Sequence, residues 1–117
     1  MNQSLYLESD NKLIGIVRNP YERVVTLYKF SYYWIGFDKW LIEEKPESQT
    51  SLYEDCDHIV HLEDWRNELE LLGVPTNNSF LEKEWVSTDY KRWYTTKSLN
   101  LVTQLYHKDI KEFGYSY

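Results

Sequence analysis

The stretch that decides the fold is GIVRNPYERVVTLYKF, residues 15–30. It continues an apolar run that starts at residue 13, and the length of that run is typical of a buried strand. Arg18 ends the run. Asn19 is a favourable N-cap and Pro20 suits the first helical position, so a helix is predicted to begin at once. The stretch therefore predicts a strand and a helix joined by a tight turn, with a charged side chain at the junction.

Beyond the junction, apolar and aromatic side chains recur at helical spacing. The helix is predicted to continue to about Trp34 or Ile35. Glu22 stands where the acid of a capping box is found, three residues after Asn19. The first long helix is therefore expected to be capped by its own sequence.

Periodicity along the rest of the chain predicts the order strand, helix, loop, strand, helix, loop, helix. The later elements are expected as a short helix at 37–44, a loop at 43–57, a strand at 58–62, a helix at 63–72, an irregular segment at 76–95 and a last helix from 95 or 96 to 113. Alternating strands and helices predict an α/β layer fold with a short parallel sheet and flanking helices. A third strand is expected either from residues 3–8 or from another chain.

Bulk composition narrows the functional classes. The chain has 117 residues, which favours one domain, and 42% of them are hydrophobic, which is typical of a folded chain. The net charge of −6 disfavours a general nucleic-acid binder. Neither the single cysteine, Cys56, nor the histidine pair His58 and His61 predicts a metal site. No secretory leader or bilayer-spanning stretch is recognised, so a cytoplasmic protein without membrane or metal partners is expected.

The junction itself suggests an anion site. In parallel α/β sheets, ligands bind beyond the carboxyl ends of the strands, and Arg18 is predicted to lie at such an end. The helix that follows directs its free N–H groups to the same region. The guanidinium of Arg18 and the hydroxyl of Thr26 could together hold a phosphate. The alternative is a surface ion pair of Arg18 with Glu22 or Asp10.

IVRNPYERVVTLY, within the same stretch, resembles the 3′-phosphate-binding element of sulfotransferases that use 3′-phosphoadenosine 5′-phosphosulfate, whose segments read like FVRNPYDRLVSAY. Thr26 stands where that family usually has serine. Three later segments resemble family segments in the same order, so the resemblance covers roughly residues 13–115. They read GFDKWL, DHIVHLEDWRNELELLGV and DYKRWYTTKSLNLVTQLYHKDIKEFGY.

The resemblance implies a P-loop-like α/β fold and a carbohydrate-type sulfotransferase activity. It places the nucleotide 3′-phosphate on Arg18 and Thr26. It also places a loop containing Lys91, Arg92 and Tyr94 near the nucleotide. The implied co-substrate is 3′-phosphoadenosine 5′-phosphosulfate, and the implied acceptor is a hydroxyl-bearing molecule such as a carbohydrate. By this reasoning Arg18→Ala should abolish nucleotide binding and leave the protein folded.

The same family carries a lysine-containing, Thr/Ser-rich loop that cradles the 5′-phosphosulfate. Residues 1–17 contain no such pattern, so the chain is expected to be a single sulfotransferase-like domain, residues 1–117, that lacks this loop. The catalytic base is unassigned, and its candidates are His58, His61, Glu63 and Asp64.

Three interpretations stay open. The chain could be an enzyme completed by another chain or segment. It could be a non-catalytic relative that binds a nucleotide or a protein. It could also be an aromatic-rich structural protein without a ligand. A second copy of the chain is a candidate partner, because short sheets leave exposed edges.

Overall fold

The computed structural model describes residues 5–31, 33–84, 86 and 88–117. Three strands and seven α-helices are found there, with 3-10 turns at Tyr33–Ile35, Leu62–Asp64 and Tyr90–Trp93. In chain order the elements are β1 (Tyr6–Ser9), β2 (Lys12–Val17), α1 (Pro20–Lys29), α2 (Phe37–Glu44), α3 (Gln49–Leu52), β3 (His58–His61), α4 (Trp65–Leu71), α5 (Ser79–Lys83), α6 (Thr96–Leu105) and α7 (His107–Phe113).

The three strands form one mixed sheet in the order β1-β2-β3. β2 and β3 are parallel, with Val17 opposite His61, as the alternation of strands and helices predicts. β1 is antiparallel to β2, so the expectation of a parallel sheet is wrong for this strand. The reason is local: only Asp10 and Asn11 separate the two strands, both with positive φ, and a two-residue turn of this kind makes a hairpin. Of the predicted third strand, residues 3 and 4 lie outside the described residues.

α1 begins at Pro20 as predicted, and the side chain of its N-cap Asn19 accepts a hydrogen bond from the N–H of Tyr21 at 3.0 Å. Its predicted end was wrong, because the helix stops at Lys29. α2 packs back against α1, and the rings of Tyr28 and Phe37 lie 5.4 Å apart. The chain must reverse between those two residues, so one continuous helix through Ile35 could not make this contact.

α1 is buried on every side, since each residue from Pro20 to Tyr28 is buried. Its apolar side chains pack with α2 and α6 in one core. A second core lies between the sheet and the helices α4 and α5. The first core contains Tyr21, Val24, Val25, Leu27, Tyr28, Phe37, Trp40, Leu41, Val102 and Tyr106, and the second Ile14, Ile16, Val60, Leu62, Leu69 and Leu81. Full burial removes water as a partner for the polar side chains of α1, so the hydrogen bonds they make must be to groups inside the protein.

Elsewhere the structure adds short helices to segments expected to be irregular, namely α3 and α5. The predicted last helix is divided at Tyr106 into α6 and α7. Thr95 caps it as expected, in a reciprocal capping box with Ser98. The hydroxyl of Tyr106 donates a hydrogen bond to the carbonyl of Pro46 at 2.5 Å, so the break coincides with a tertiary contact that sequence periodicity does not register.

Gly15 leaves no room for a side chain on the α3-facing side of β2. A Cβ atom placed there would lie 2.8 Å from Cδ1 of Tyr53 and 3.0 Å from Sγ of Cys56. The Tyr53 ring cannot retreat freely, because its hydroxyl accepts a hydrogen bond from the N–H of Leu5 at 2.8 Å.

We expect Gly15→Ala to lower the free energy of unfolding by about 1–3 kcal/mol through overpacking, and Gly15→Val to lower it further. Urea denaturation followed by tryptophan fluorescence measures both. In a Tyr53→Leu background the added cost of Gly15→Ala should fall by more than half, because the clashing ring is gone. An equal cost in both backgrounds would show that Tyr53 is not the obstacle.

Candidate functional site

Arg18 lies where the sequence predicts it, at the carboxyl end of β2 and directly before α1. β3 ends alongside it, so residues 62–64 approach the same edge of the sheet. The main chain of Arg18 is held on both sides by one side chain. Its N–H donates to Oε1 of Gln49 at 2.9 Å, and its carbonyl accepts from Nε2 of Gln49 at 2.8 Å. These two hydrogen bonds to α3 fix the main chain from which the guanidinium projects.

The guanidinium of Arg18 and the hydroxyl of Thr26 converge on one anionic group, the carboxylate of Glu22. Arg18 donates from Nε to Oε1 at 2.6 Å and from Nη2 to Oε2 at 2.9 Å. Thr26 donates from Oγ1 to Oε2 at 2.5 Å. The three residues are 5%, 1% and 7% exposed. Both donors proposed for a phosphate therefore meet at one site, and in this structure they share a carboxylate.

The role of Glu22 matches neither sequence-based prediction in full. It is not the acid of a capping box, because its carboxylate is bound by Arg18 and Thr26. It is the ion-pair partner named in the alternative interpretation, but the pair is buried and not on the surface. Because both groups are removed from water, the charge of each depends on the other for stabilisation far more than in an exposed pair.

A second carboxylate lies at the N-terminus of α1. Oε2 of Glu63 accepts the N–H of Asn19 at 2.9 Å, and Oε1 accepts the hydroxyl of Tyr115 at 2.6 Å. Burial raises the pKa of Tyr115, and its bond to Glu63 raises it further, so the phenol stays a donor. The positive end of the helix is therefore already matched by an acid of the chain itself.

Lys91, Arg92 and Tyr94 lie on or next to a 3-10 turn, Tyr90–Trp93, that packs against α1. The hydroxyl of Tyr94 donates to the carbonyl of Tyr21 at 2.7 Å, and burial raises the pKa of this phenol. The ammonium of Lys91 lies 4.8 Å from the centre of the Tyr117 ring.

Arg92 is largely exposed, with Nη1 3.9 Å from Oδ2 of Asp89. Among the described contacts of these three candidates, Tyr94 bonds directly to the first turn of α1, and Lys91 reaches that turn through the Tyr117 ring, which packs against Tyr21.

A cavity of about 570 Å³ lies next to Glu84, an ion-pair partner of Arg18. Glu84 lines it and has Oε2 at 3.8 Å from Nη1 of Arg18. Among the described residues that line it are three acids and one base, so their field opposes an anion and suits a neutral, hydroxyl-rich molecule. The lining residues are Leu62, Glu63, Asp64, Trp65, Arg66, Asn67, Glu84 and Val86.

The candidate bases differ in their surroundings. Both oxygens of Glu63 are engaged as described above, and Asp64 accepts a hydrogen bond from Nδ2 of Asn67 at 2.8 Å. His58 is exposed. His61 has Nδ1 at 3.0 Å from Oε1 of Glu68 and Nε2 at 2.9 Å from the carbonyl of Phe113. Of these four, His61 and Glu63 are tied most firmly into the structure.

Sequence reasoning missed Gln49, Glu84 and Asp109 as parts of this site. Asp109 is fully buried and accepts the N–H of Gln49 at 2.8 Å, so it supports the side chain that holds Arg18. The sequence indicates the burial of Asp109 only weakly, through its position on a helix face that also carries apolar residues. No local pattern predicts its contact with Gln49.

Comparison of the chain with protein-family models, with curated proteins and with solved structures finds no match. In the part of the chain that the structure describes, no helix is long and apolar enough to cross a membrane. Over the same residues, no group of three or more His, Cys, Asp or Glu side chains is placed to hold a metal ion.

Proposed function

We propose that this protein is sulfotransferase-like and binds 3′-phosphoadenosine 5′-phosphosulfate, or its product, through a 3′-phosphate seat made by Arg18 and Thr26. The observation that carries the proposal is the convergence of these two donors on one oxyanion, the carboxylate of Glu22. Donors that hold two oxygens of a carboxylate are also suited to two oxygens of a phosphate. The sequence resemblance assigns the same two residues to that role.

Nucleotide binding by this seat requires the carboxylate of Glu22 to leave it. A phosphate carries more negative charge than a carboxylate and would take over the same hydrogen bonds. Glu22 would have to rotate away from both donors, so the protein's own acid acts as a competitor for the ligand. Binding of the nucleotide is therefore expected to be weaker than the donor set alone would allow.

Sulfuryl transfer would form a bond between the acceptor oxygen and sulfur while the bond from sulfur to the 5′-phosphate oxygen breaks. The cavity next to Glu84 supports a hydroxyl-bearing acceptor such as a carbohydrate, since acids line it. The acceptor proton would pass to a base, and the carboxylates that line the cavity are candidates. We assign no residue to the 5′-phosphosulfate, and transfer requires a further segment or chain to hold it.

A non-catalytic relative that binds a nucleotide or a protein is the second candidate. It is favoured by a specific observation: both anion positions, at Arg18 and at the start of α1, are taken by the chain's own acids, Glu22 and Glu63. A domain whose anion positions are neutralised in this way would have this fold without the reaction. A sulfate-transfer assay with the nucleotide donor separates this candidate from the enzyme.

We expect Glu22→Gln to bind 3′-phosphoadenosine 5′-phosphate roughly tenfold more tightly than the natural chain, because a neutral amide competes less for Arg18. Thr26→Val should weaken binding by roughly fivefold. Isothermal titration calorimetry measures both affinities, in conditions where circular dichroism shows each variant folded.

Adenosine 5′-phosphate, which lacks the 3′-phosphate, is the matched ligand control, and its affinity should not respond to either substitution. Lys12→Ala is the protein control, since Lys12 is an exposed cation at the end of β2 opposite to Arg18. Absence of binding heat in every variant would refute the nucleotide site. Equal affinity of the natural chain and Thr26→Val would remove Thr26 from it.

A further inference from the structure

Residues 115–117, here called the strap, cross the start of α1. Tyr115 bonds to Glu63, as described above. The carbonyl of Ser116 accepts a hydrogen bond from Nδ2 of Asn19 at 3.0 Å. The strap is therefore attached both to the N-cap of α1 and to the acid that faces the N-terminus of that helix.

The ring of Tyr117 completes the attachment. It meets the ring of Tyr21 edge-on at 5.2 Å, and those of Tyr94 and Tyr90 at 5.7 Å and 6.0 Å. Lys91 lies over its face. The strap thus lies across the N-cap and first turn of α1, directly after Arg18, on the side where Lys91 and Tyr94 lie.

His61 anchors the chain just before the strap. One ring nitrogen faces a carboxylate oxygen of Glu68 and the other faces the carbonyl of Phe113, the last residue of α7. The N–H of His61 donates to the same Glu68 oxygen at 3.0 Å. Tyr115 lies against the imidazole, with ring centres 5.5 Å apart.

Both partners of the ring are acceptors, and this favours the protonated ring. A neutral imidazole has one N–H and can donate to only one of them, whereas the imidazolium donates to both. In the described residues the titratable groups that face the ring are Glu68 of α4, Glu63 of the turn after β3 and the phenol of Tyr115. The two carboxylates favour the charged ring, and the neutral phenol adds only packing.

We propose that the strap closes over the Arg18–Glu22–Thr26 site while His61 is protonated and is released when His61 becomes neutral. A neutral ring keeps only one of its two hydrogen bonds, and the carboxylate of Glu68 is the stronger acceptor, so the bond from the ring to the carbonyl of Phe113 at the end of α7 is lost. The weakened end of α7 then lets the strap leave Asn19 and the Tyr21 ring. The exclusion of the nucleotide by the closed strap rests on the proposed function. The pH-dependent movement of the strap does not.

The direction of the pH effect follows from the surroundings of His61. Burial lowers its pKa, but the hydrogen bonds to Glu68 and to Phe113 and the nearby carboxylates raise it more, so the pKa lies above 6.5. The protonated ring therefore stabilises the folded state fully below the unfolded-state pKa near 6.5, and this contribution is lost as the pH rises through the folded-state pKa. Strap release is accordingly expected at a midpoint above 6.5.

The test follows the strap amides of Tyr115, Ser116 and Tyr117 by ¹⁵N NMR from about pH 5.5 to about pH 8.5, together with the His61 ring. In the natural chain the amide shifts should titrate with the ring. In His61→Gln, which has no titrating ring, this transition should be absent. His58→Gln is the matched control, because His58 is an exposed histidine of the same strand, and it should titrate like the natural chain.

Strap amides that do not respond to His61, or that titrate unchanged in His61→Gln, would overturn the proposal. At about pH 6, His61→Gln should bind 3′-phosphoadenosine 5′-phosphate roughly tenfold more tightly than the natural chain. Equal affinities would refute the closure over the site and leave the nucleotide site standing. A strap that titrates as expected, with no nucleotide bound by any variant including Glu22→Gln, would support the switch and refute the proposed function.

Discussion

Arg18→Ala is expected to lower the free energy of unfolding by about 3–5 kcal/mol, because it leaves the carboxylate of Glu22 buried without its cation. Glu22 is 1% exposed, so water cannot replace the two hydrogen bonds that the guanidinium donates. The sequence-based prediction that this variant stays folded therefore requires a total stability greater than this loss. Guanidinium chloride denaturation, followed by circular dichroism, measures the loss.

Two comparisons isolate the cause. Arg66→Ala removes an arginine from an exposed pair with Glu82 and should change the free energy of unfolding by less than about 1 kcal/mol. The double variant Arg18→Met, Glu22→Leu removes both charges and should recover most of the stability lost by Arg18→Ala. If the double variant is no more stable than Arg18→Ala, an unpaired buried charge is not the cause.

Asp109→Ala is expected to have an effect of similar size, about 3–5 kcal/mol. The carboxylate is fully buried and accepts three hydrogen bonds, from the N–H of Gln49 and from the N–H and hydroxyl of Thr50. It therefore holds the start of α3, whose Gln49 clamps the main chain of Arg18.

Arg23 adds to the expected cost of Asp109→Ala. It is 3% exposed, and its Nη1 and Nη2 have no hydrogen-bond partner among the described residues. Burial lowers the pKa of this guanidinium, and the negative charge of Asp109 is among the influences that raise it again. Removal of Asp109 would leave Arg23 without that compensation.

Asp57→Ala is the matched control for Asp109→Ala. Asp57 is an exposed acid that also accepts a main-chain N–H, that of Leu13, at 2.8 Å. Its removal should lower the free energy of unfolding by about 1 kcal/mol. Thermal unfolding by calorimetry compares the two variants. A loss below about 1.5 kcal/mol for Asp109→Ala would show that the buried carboxylate can be replaced by relaxation or by water.

The candidate site and the stability of the fold thus share one chain of contacts, from Thr26 through Glu22 and Arg18 to Gln49 and Asp109. A substitution at either end is expected to change both properties. Ligand affinity in these variants must therefore be measured alongside the fraction of folded protein. The exposed controls Arg66 and Asp57 do not belong to this chain of contacts.

Local sequence predicted the elements around the site well. The strand ending at Val17, the N-cap Asn19 and the first helical residue Pro20 are all confirmed, because each depends on neighbours within a few residues. The helix end was predicted too late, and α3 was missed inside a segment expected to be a loop. Both errors come from contacts between distant residues, namely the packing of Phe37 against Tyr28 and the hydrogen bonds of Asp109 to the start of α3.

The amino-acid sequence by itself determined that a strand runs directly into a helix with an arginine at the junction, since apolar length, capping residues and proline act locally. It also predicted that Arg18 and Thr26, eight positions apart, could share one anion. Only the tertiary structure decided which anion they hold, because burial of α1 on every side forces Glu22 inward, where these two donors are its partners. Competition between that carboxylate and a phosphate is a property of the packed protein.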